Sequence, residues 1–179
     1  QGARFFSDTV PEAIALLPEA FRSHIEIVQQ ARPEDEARVK ARYAELGVTA
    51  EVAPFFTDLP ERIAAAHLVM SRSGASTVSE IAAIGRPAIF VPYPHALDHD
   101  QAANAEALEA AGGALVRRQD MLDAQSTSAL FAELLGDPDR LQAMAAAALK
   151  AGTPEATALL ADLVEVIASG QTAARFKSG

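Results

Sequence analysis

Short apolar runs of strand length alternate with amphipathic helical stretches along almost the whole chain, and this alternation restricts its fold more than any other feature. His24–Ala31 (HIEIVQQA), Val48–Phe55, His67–Ser71, Pro87–Val91 and Ala114–Val116 read as strands. Between them lie helical patterns over Pro33–Leu46, Leu59–Ala66, Ser76–Ile84 and Gln101–Ala111. Gly47, Gly85 and Gly112-Gly113 stop the first, third and fourth of these. Another helix begins at Arg4, and three more, about Ser126–Leu135, Pro138–Lys150 and Pro154–Ala168, close the chain. Such alternation builds an α/β domain, a Rossmann-like parallel sheet flanked by helices, with ligands at the carboxyl ends of the strands. The domain is expected over residues 1–169, with 170–179 as a flexible C-terminal tail.

Five strands are visible where a Rossmann-like half carries about six. The chain opens Gln1-Gly2-Ala3-Arg4, which reads as the end of a tight turn entering a helix, so the first strand is expected before Gln1. Its place would be near the middle of the sheet. That predicts either extra chain in the slot or a break between His24–Ala31 and His67–Ser71.

Composition narrows the function. Fifteen Lys and Arg face 24 Asp and Glu, a net charge of −9, so nothing offers the basic surface that nucleic acid needs. Cysteine is absent, which excludes a disulfide scaffold, a thiolate metal site and a Cys nucleophile. No apolar run approaches the roughly 18–20 residues that cross a bilayer. A reducing cytoplasm is the default expectation for such a chain.

The most informative segment is Ser71–Gly85, SRSGASTVSEIAAIG. A strand ends, a turn of small residues follows, and a helix opens near Thr77. Its free N–H groups and positive dipole end suit a phosphate, and Gly74 lets a ligand come close to the backbone. Glu80, one turn in, can accept hydrogen bonds from a ribose diol. Thr77-x-x-Glu80 is equally a capping box that satisfies the helix's own donors, and that reading is the commoner one. A second segment, Val91–Ala105, is a polar loop leading into a helix whose first turn carries Asp100, Gln101 and Asn104. Amides there can read sugar hydroxyls. His95, Asp98, His99 and Asp100 could hold a metal, though without a recognised zinc spacing, and solvated loop polarity is the more ordinary explanation. Phe56 stands at a strand end, where it could lie along a base or simply belong to the core. Thr57 or Asp58 could cap the following helix. His24 and His67 read as structural, and no Ser-His-Asp arrangement or general base stands out.

Taken together, these segments resemble the donor-binding half of the MurG family of GT-B glycosyltransferases. The resemblance rests on Gln1-Gly2-Ala3-Arg4, Phe55-Phe56-Thr57-Asp58-Leu59, Ser71-Arg72-Ser73-Gly74-Ala75 with Thr77-Val78-Ser79-Glu80, Gly85-Arg86-Pro87-Ala88, and Val91 through Ala105. It implies inverting transfer of N-acetylglucosamine from UDP to lipid I, forming lipid II for peptidoglycan, with no cofactor and no metal. By the same resemblance Gln1, Gly2, Arg72, Gly74, Ala75, Ser76, Thr77, Val78, Ser79 and Glu80 border the UDP site, with Glu80 on the ribose. Phe56 meets uracil through its backbone, and Gln101 and Asn104 address the sugar. The catalytic base, the lipid I site and a peripheral attachment to the cytoplasmic face of the bacterial inner membrane belong to an N-terminal half. The family's Gly-Gly-Ser before Gln1 is absent, and Asp100 replaces its usual Gln or His. A UDP-N-acetylglucosamine 2-epimerase and a non-catalytic UDP-sugar binding module are the competing readings, and fold alone does not separate them.

Overall fold

The structure, a computed structural model, describes residues 4–94 and 100–152. Its elements run α1 (Arg4–Ala15), α2 (Glu19–Arg22), β1 (Glu26–Gln30), α3 (Pro33–Glu45), β2 (Thr49–Ala53), α4 (Leu59–Ala65) and β3 (Val69–Ser71). They continue with α5 (Ala75–Ile84), β4 (Ala88–Phe90), α6 (Asp100–Ala110), β5 (Ala114–Val116), a 3-10 turn (Gln119–Met121), α7 (Ala124–Leu135) and α8 (Pro138–Ala151). The expected helix over Pro154–Ala168 and the boundary at 169 lie outside the described residues.

All pairing is parallel. β1 pairs with β2, and β3, β4 and β5 pair in that order. Among the described residues no ladder joins β1 to β3, which is where the sequence predicts a break. The two sheets nonetheless share one core. Val52 of the first, with Ala31 just beyond β1, and Ile89 of the second, with Val91 just beyond β4, pack with Ala13, Ile14, Val39, Tyr43, Leu130, Phe131 and Leu134. Strand residues alternate faces, so Ala88 and Phe90 of β4 point oppositely to Ile89. They bury against Ile81 and Ala82 of α5, Leu108 of α6 and Ala148 of α8. Helices therefore cover both faces, with α1, α3 and α7 on one and α5 and α6 on the other. Each fully buried Leu, Ile or Phe contributes about 1.5–3 kcal/mol.

Local chemistry sets the element ends. Pro33 starts α3, and Glu34, Asp35 and Glu36 in its first turn complement the helix dipole. Gly47 and Gly85 close α3 and α5 in left-handed conformations (φ +66° and +76°). At each the following N–H reaches back to a last-turn carbonyl: Val48 to Tyr43 at 3.0 Å and Arg86 to Ile81 at 3.2 Å. Pro11 inside α1 cannot donate to Ser7, and the freed carbonyl accepts from Arg38 Nη1 at 3.3 Å. The outer edge of β5 is blunted by Glu109, whose carboxylate accepts the Val116 N–H at 2.8 Å. α2 and the 3-10 turn carry too few residues to show a period in the sequence. α2 is held because Arg22 donates to the carbonyls of Ala15 and Leu17, at 2.8 and 2.9 Å, at the exposed end of α1.

Candidate functional site

One side chain draws together the carboxyl ends of β3, β4 and β5. Arg72 follows β3, and its Nη1 donates to the carbonyls of Val91 and Pro92 beyond β4, each at 3.1 Å. Its Nη2 donates to Gln119 Oε1 beyond β5 at 2.6 Å. The guanidinium also lies 5.2–5.5 Å from the ring centroids of Phe6, Phe5 and Tyr93, tying in the start of α1. Burial pulls its pKa below the usual arginine value, with Tyr93 acting in the opposite sense. α6 arrives at the same rim, where Gln101 Oε1 accepts the Tyr93 N–H at 3.0 Å. Only the amide oxygen can accept, so this bond sets the orientation of the side chain and leaves its NH2 to donate.

The N-terminus of α5 opens on this rim without a cap. Gly74 occupies the N-cap with φ −61° and ψ 145°, and no side chain accepts from the first turn. The first helical bond runs from Val78 N–H to Gly74 O at 3.0 Å, which leaves the amides of Ala75, Ser76 and Thr77 without a helical acceptor. Ala75 and Ser76 are exposed and Thr77 is half-buried. The dipole adds about half a positive charge at such an end, a place suited to an anion. Gly74 is not demanded by backbone strain, and a Cβ there would meet nothing within 4 Å. Ser73, directly before it, is fully buried with its Oγ unpartnered. One turn into the helix, Glu80 is half-buried and its carboxylate makes no hydrogen bond or ion pair among the described residues. With a net charge of −9 the overall field repels anions, so attraction has to be local.

A long match places this geometry in a family. Residues 1–160 match the glycosyltransferase family 28 C-terminal domain. The chain belongs to this family. It is 64% identical over 177 residues to a UDP-N-acetylglucosamine--N-acetylmuramyl-(pentapeptide) pyrophosphoryl-undecaprenol N-acetylglucosamine transferase of Chelativorans sp. strain BNC1, covering 99% of the chain and 47% of that protein. Its identity to the transferase of the same name from Mesorhizobium japonicum is 62%, over 100% of the chain and 48% of the relative. The crystal structure of Acinetobacter baumannii MurG superposes with a TM-score of 0.81 at 32% identity, over 92% of this chain and 46% of that one. The chain spans about half the length of the curated relatives it matches.

Within this family 28 domain, the positions expected from sequence fall as follows. Arg72, Gly74, Ala75, Ser76, Thr77, Gln101 and Asn104 lie at the strand-end rim or on the helices that open on it, with Glu80 one turn below. Val78 is buried in the core, and Ser79 is exposed on α5. Gln1 and Gly2 lie outside the described residues, as do His95, Asp98 and His99 of the candidate metal cluster. Among the described residues no group of three or more His, Asp or Glu could hold a metal ion.

Two readings need correction. The capping box does not form: α5 starts at Ala75, so Thr77 lies inside the first turn and Glu80 too deep to reach back to an N-cap. Asp58 does occupy the N-cap of α4, but its carboxylate bonds Arg62 Nε rather than a backbone amide. Phe56 is only 8% exposed, with the Arg62 guanidinium 4.4 Å over its ring, so the core reading holds and stacking on a base through that face is closed. The exposed aromatic of this loop is Phe55, at 71%. Ser73, Gln119 and Arg62 were not among the expected site residues. Gln119 meets Arg72 from 47 residues away and Arg62 meets Glu51 from eleven, separations that no local spacing signals, and Ser73 is set apart by its burial alone.

Proposed function

We propose that this chain is the donor-binding half of an inverting glycosyltransferase that moves N-acetylglucosamine from UDP-N-acetylglucosamine to lipid I, forming lipid II. The observation that carries this reading is the uncapped start of α5 behind Gly74, with the unpartnered Glu80 carboxylate one turn on. The amides of Ala75, Ser76 and Thr77 hold the diphosphate, and the helix dipole stabilises the charge that collects on departing UDP. Glu80 accepts from the ribose hydroxyls, and such bonds to an ionised acceptor are the stronger kind. Gln101, its oxygen engaged by Tyr93, donates its NH2 to a sugar oxygen, and Asn104 adds a second amide from the next turn. The Phe56 backbone faces the uracil. Arg72 supports the rim, because three of its hydrogen bonds already go to protein acceptors.

The acceptor pocket, the base and the peripheral attachment to the cytoplasmic face of the inner membrane are assigned to the N-terminal half of the longer relatives. No helix among the described residues is long and apolar enough to cross a membrane. The protein expressed from its whole reading frame, given UDP-N-acetylglucosamine and a lipid I analogue, is expected to yield the lipid-linked disaccharide and one UDP per transfer. Release of UDP with free N-acetylmannosamine would instead identify a 2-epimerase. Binding without turnover would leave a UDP-sugar binding module.

A further inference from the structure

A single arginine locks the connection from β2 into α4. Arg62 grips Glu51 of β2 with both terminal nitrogens, Nη1 to Oε2 at 2.7 Å and Nη2 to Oε1 at 3.0 Å. Its Nε donates to Asp58 at the N-cap of α4 at 2.7 Å. The same guanidinium covers the Phe56 ring at 4.4 Å. Strand, loop and helix start are thus bound to one planar group with little rotational freedom.

The loop so held has unused backbone groups. Neither the N–H nor the C=O of Phe56 has a hydrogen-bond partner among the described residues, although the residue is buried. Backbone N–H and C=O groups are obligatory hydrogen-bonding groups, so these two are suited to an outside partner. A peptide N–H and C=O offer a donor and an acceptor, as the imide edge of a uracil requires. Cytosine carries donor and acceptor at the same two ring positions in the opposite order. With the ribose fixed elsewhere, a rigid backbone tells the two bases apart and a mobile one does not.

We propose that Arg62 is a positioning residue for the nucleobase: its clamp on Glu51, Asp58 and the Phe56 ring holds the Phe56 amide and carbonyl in register with a uracil edge. This rests on the donor-site reading above. Arg62 itself touches no ligand. Its part is to make the site selective for uridine nucleotides.

Calorimetric titration of UDP and of CDP into the protein expressed from its whole reading frame tests this, comparing the unsubstituted protein with Arg62→Gln and Arg62→Lys. Arg62→Gln is expected to lose tenfold or more in UDP affinity and less than twofold in CDP affinity, so that the preference collapses. Arg62→Lys keeps a cation over the ring but not the two-point grip, and should fall between; it also decides the matter if Arg62→Gln fails to fold. A purely structural role would shift the melting temperature and weaken both nucleotides alike. An unchanged UDP-to-CDP preference in the variants overturns the positioning role alone. Failure of the unsubstituted protein to bind UDP overturns the donor reading, and the Arg62 role with it.

Discussion

Glu80→Gln is expected to lower UDP affinity by roughly ten- to a hundredfold while leaving the melting temperature where it was. The carboxylate makes no bond within the described residues, so none of their contacts is lost when its charge is removed. A ribose diol, in contrast, loses an ionised acceptor, which costs about 1.5–3 kcal/mol. Had Thr77 and Glu80 formed a capping box, Glu80→Ala would also cost about 0.5–2 kcal/mol of stability. With α5 starting at Ala75 that cost is absent, and Glu80→Ala should melt with the parent protein or slightly above it, alanine being the best helix former. Thermal melts beside calorimetric UDP titrations check both substitutions. A fallen melting temperature with intact UDP affinity would return Glu80 to a structural role.

Substitution at Gly74 is expected to weaken binding while leaving stability near that of the parent protein. Its φ of −61° and ψ of 145° suit any residue, and an added Cβ meets nothing within 4 Å. Gly74→Ala therefore restricts the unfolded chain without straining the folded one, a gain of about 0.4–1 kcal/mol. Alanine is a much poorer N-cap than glycine, a cost of about the same size, so the melting temperature is expected to stay near that of the parent protein. The glycine is thus left unexplained by packing, and its bare backbone makes sense as clearance for a ligand at the α5 amides. Gly74→Val, which fills that clearance, should weaken UDP tenfold or more while remaining folded, with Gly74→Ala intermediate. Equal UDP affinity across Gly, Ala and Val would place the ligand elsewhere.

The parts of this fold that could be read from sequence are those written in short-range chemistry. Gly47 and Gly85 stop their helices where expected because a left-handed residue is a local demand. The break between β1 and β3 follows from counting strands against the doubly wound plan. The start of α5 was misplaced because Thr77-x-x-Glu80 satisfies a capping pattern that Gly74 pre-empts from three residues upstream. Phe56 takes the commoner of its two fates. An aromatic at a strand end has two plausible fates, and the choice was made by Arg62, itself fixed by Glu51 eleven residues away. Arg72 follows β3, but its partners come from two other strand ends and the first helix. Only the assembled sheet reveals that it holds protein groups.

The most direct measurement is an amide-resolved NMR titration of the protein with UDP. Binding at the start of α5 predicts the largest shifts at Ala75, Ser76 and Thr77, with a second set at Phe56 and its loop neighbours. Shifts centred away from α5, or none at saturating UDP, would contradict the assignment of this helix end as the donor site.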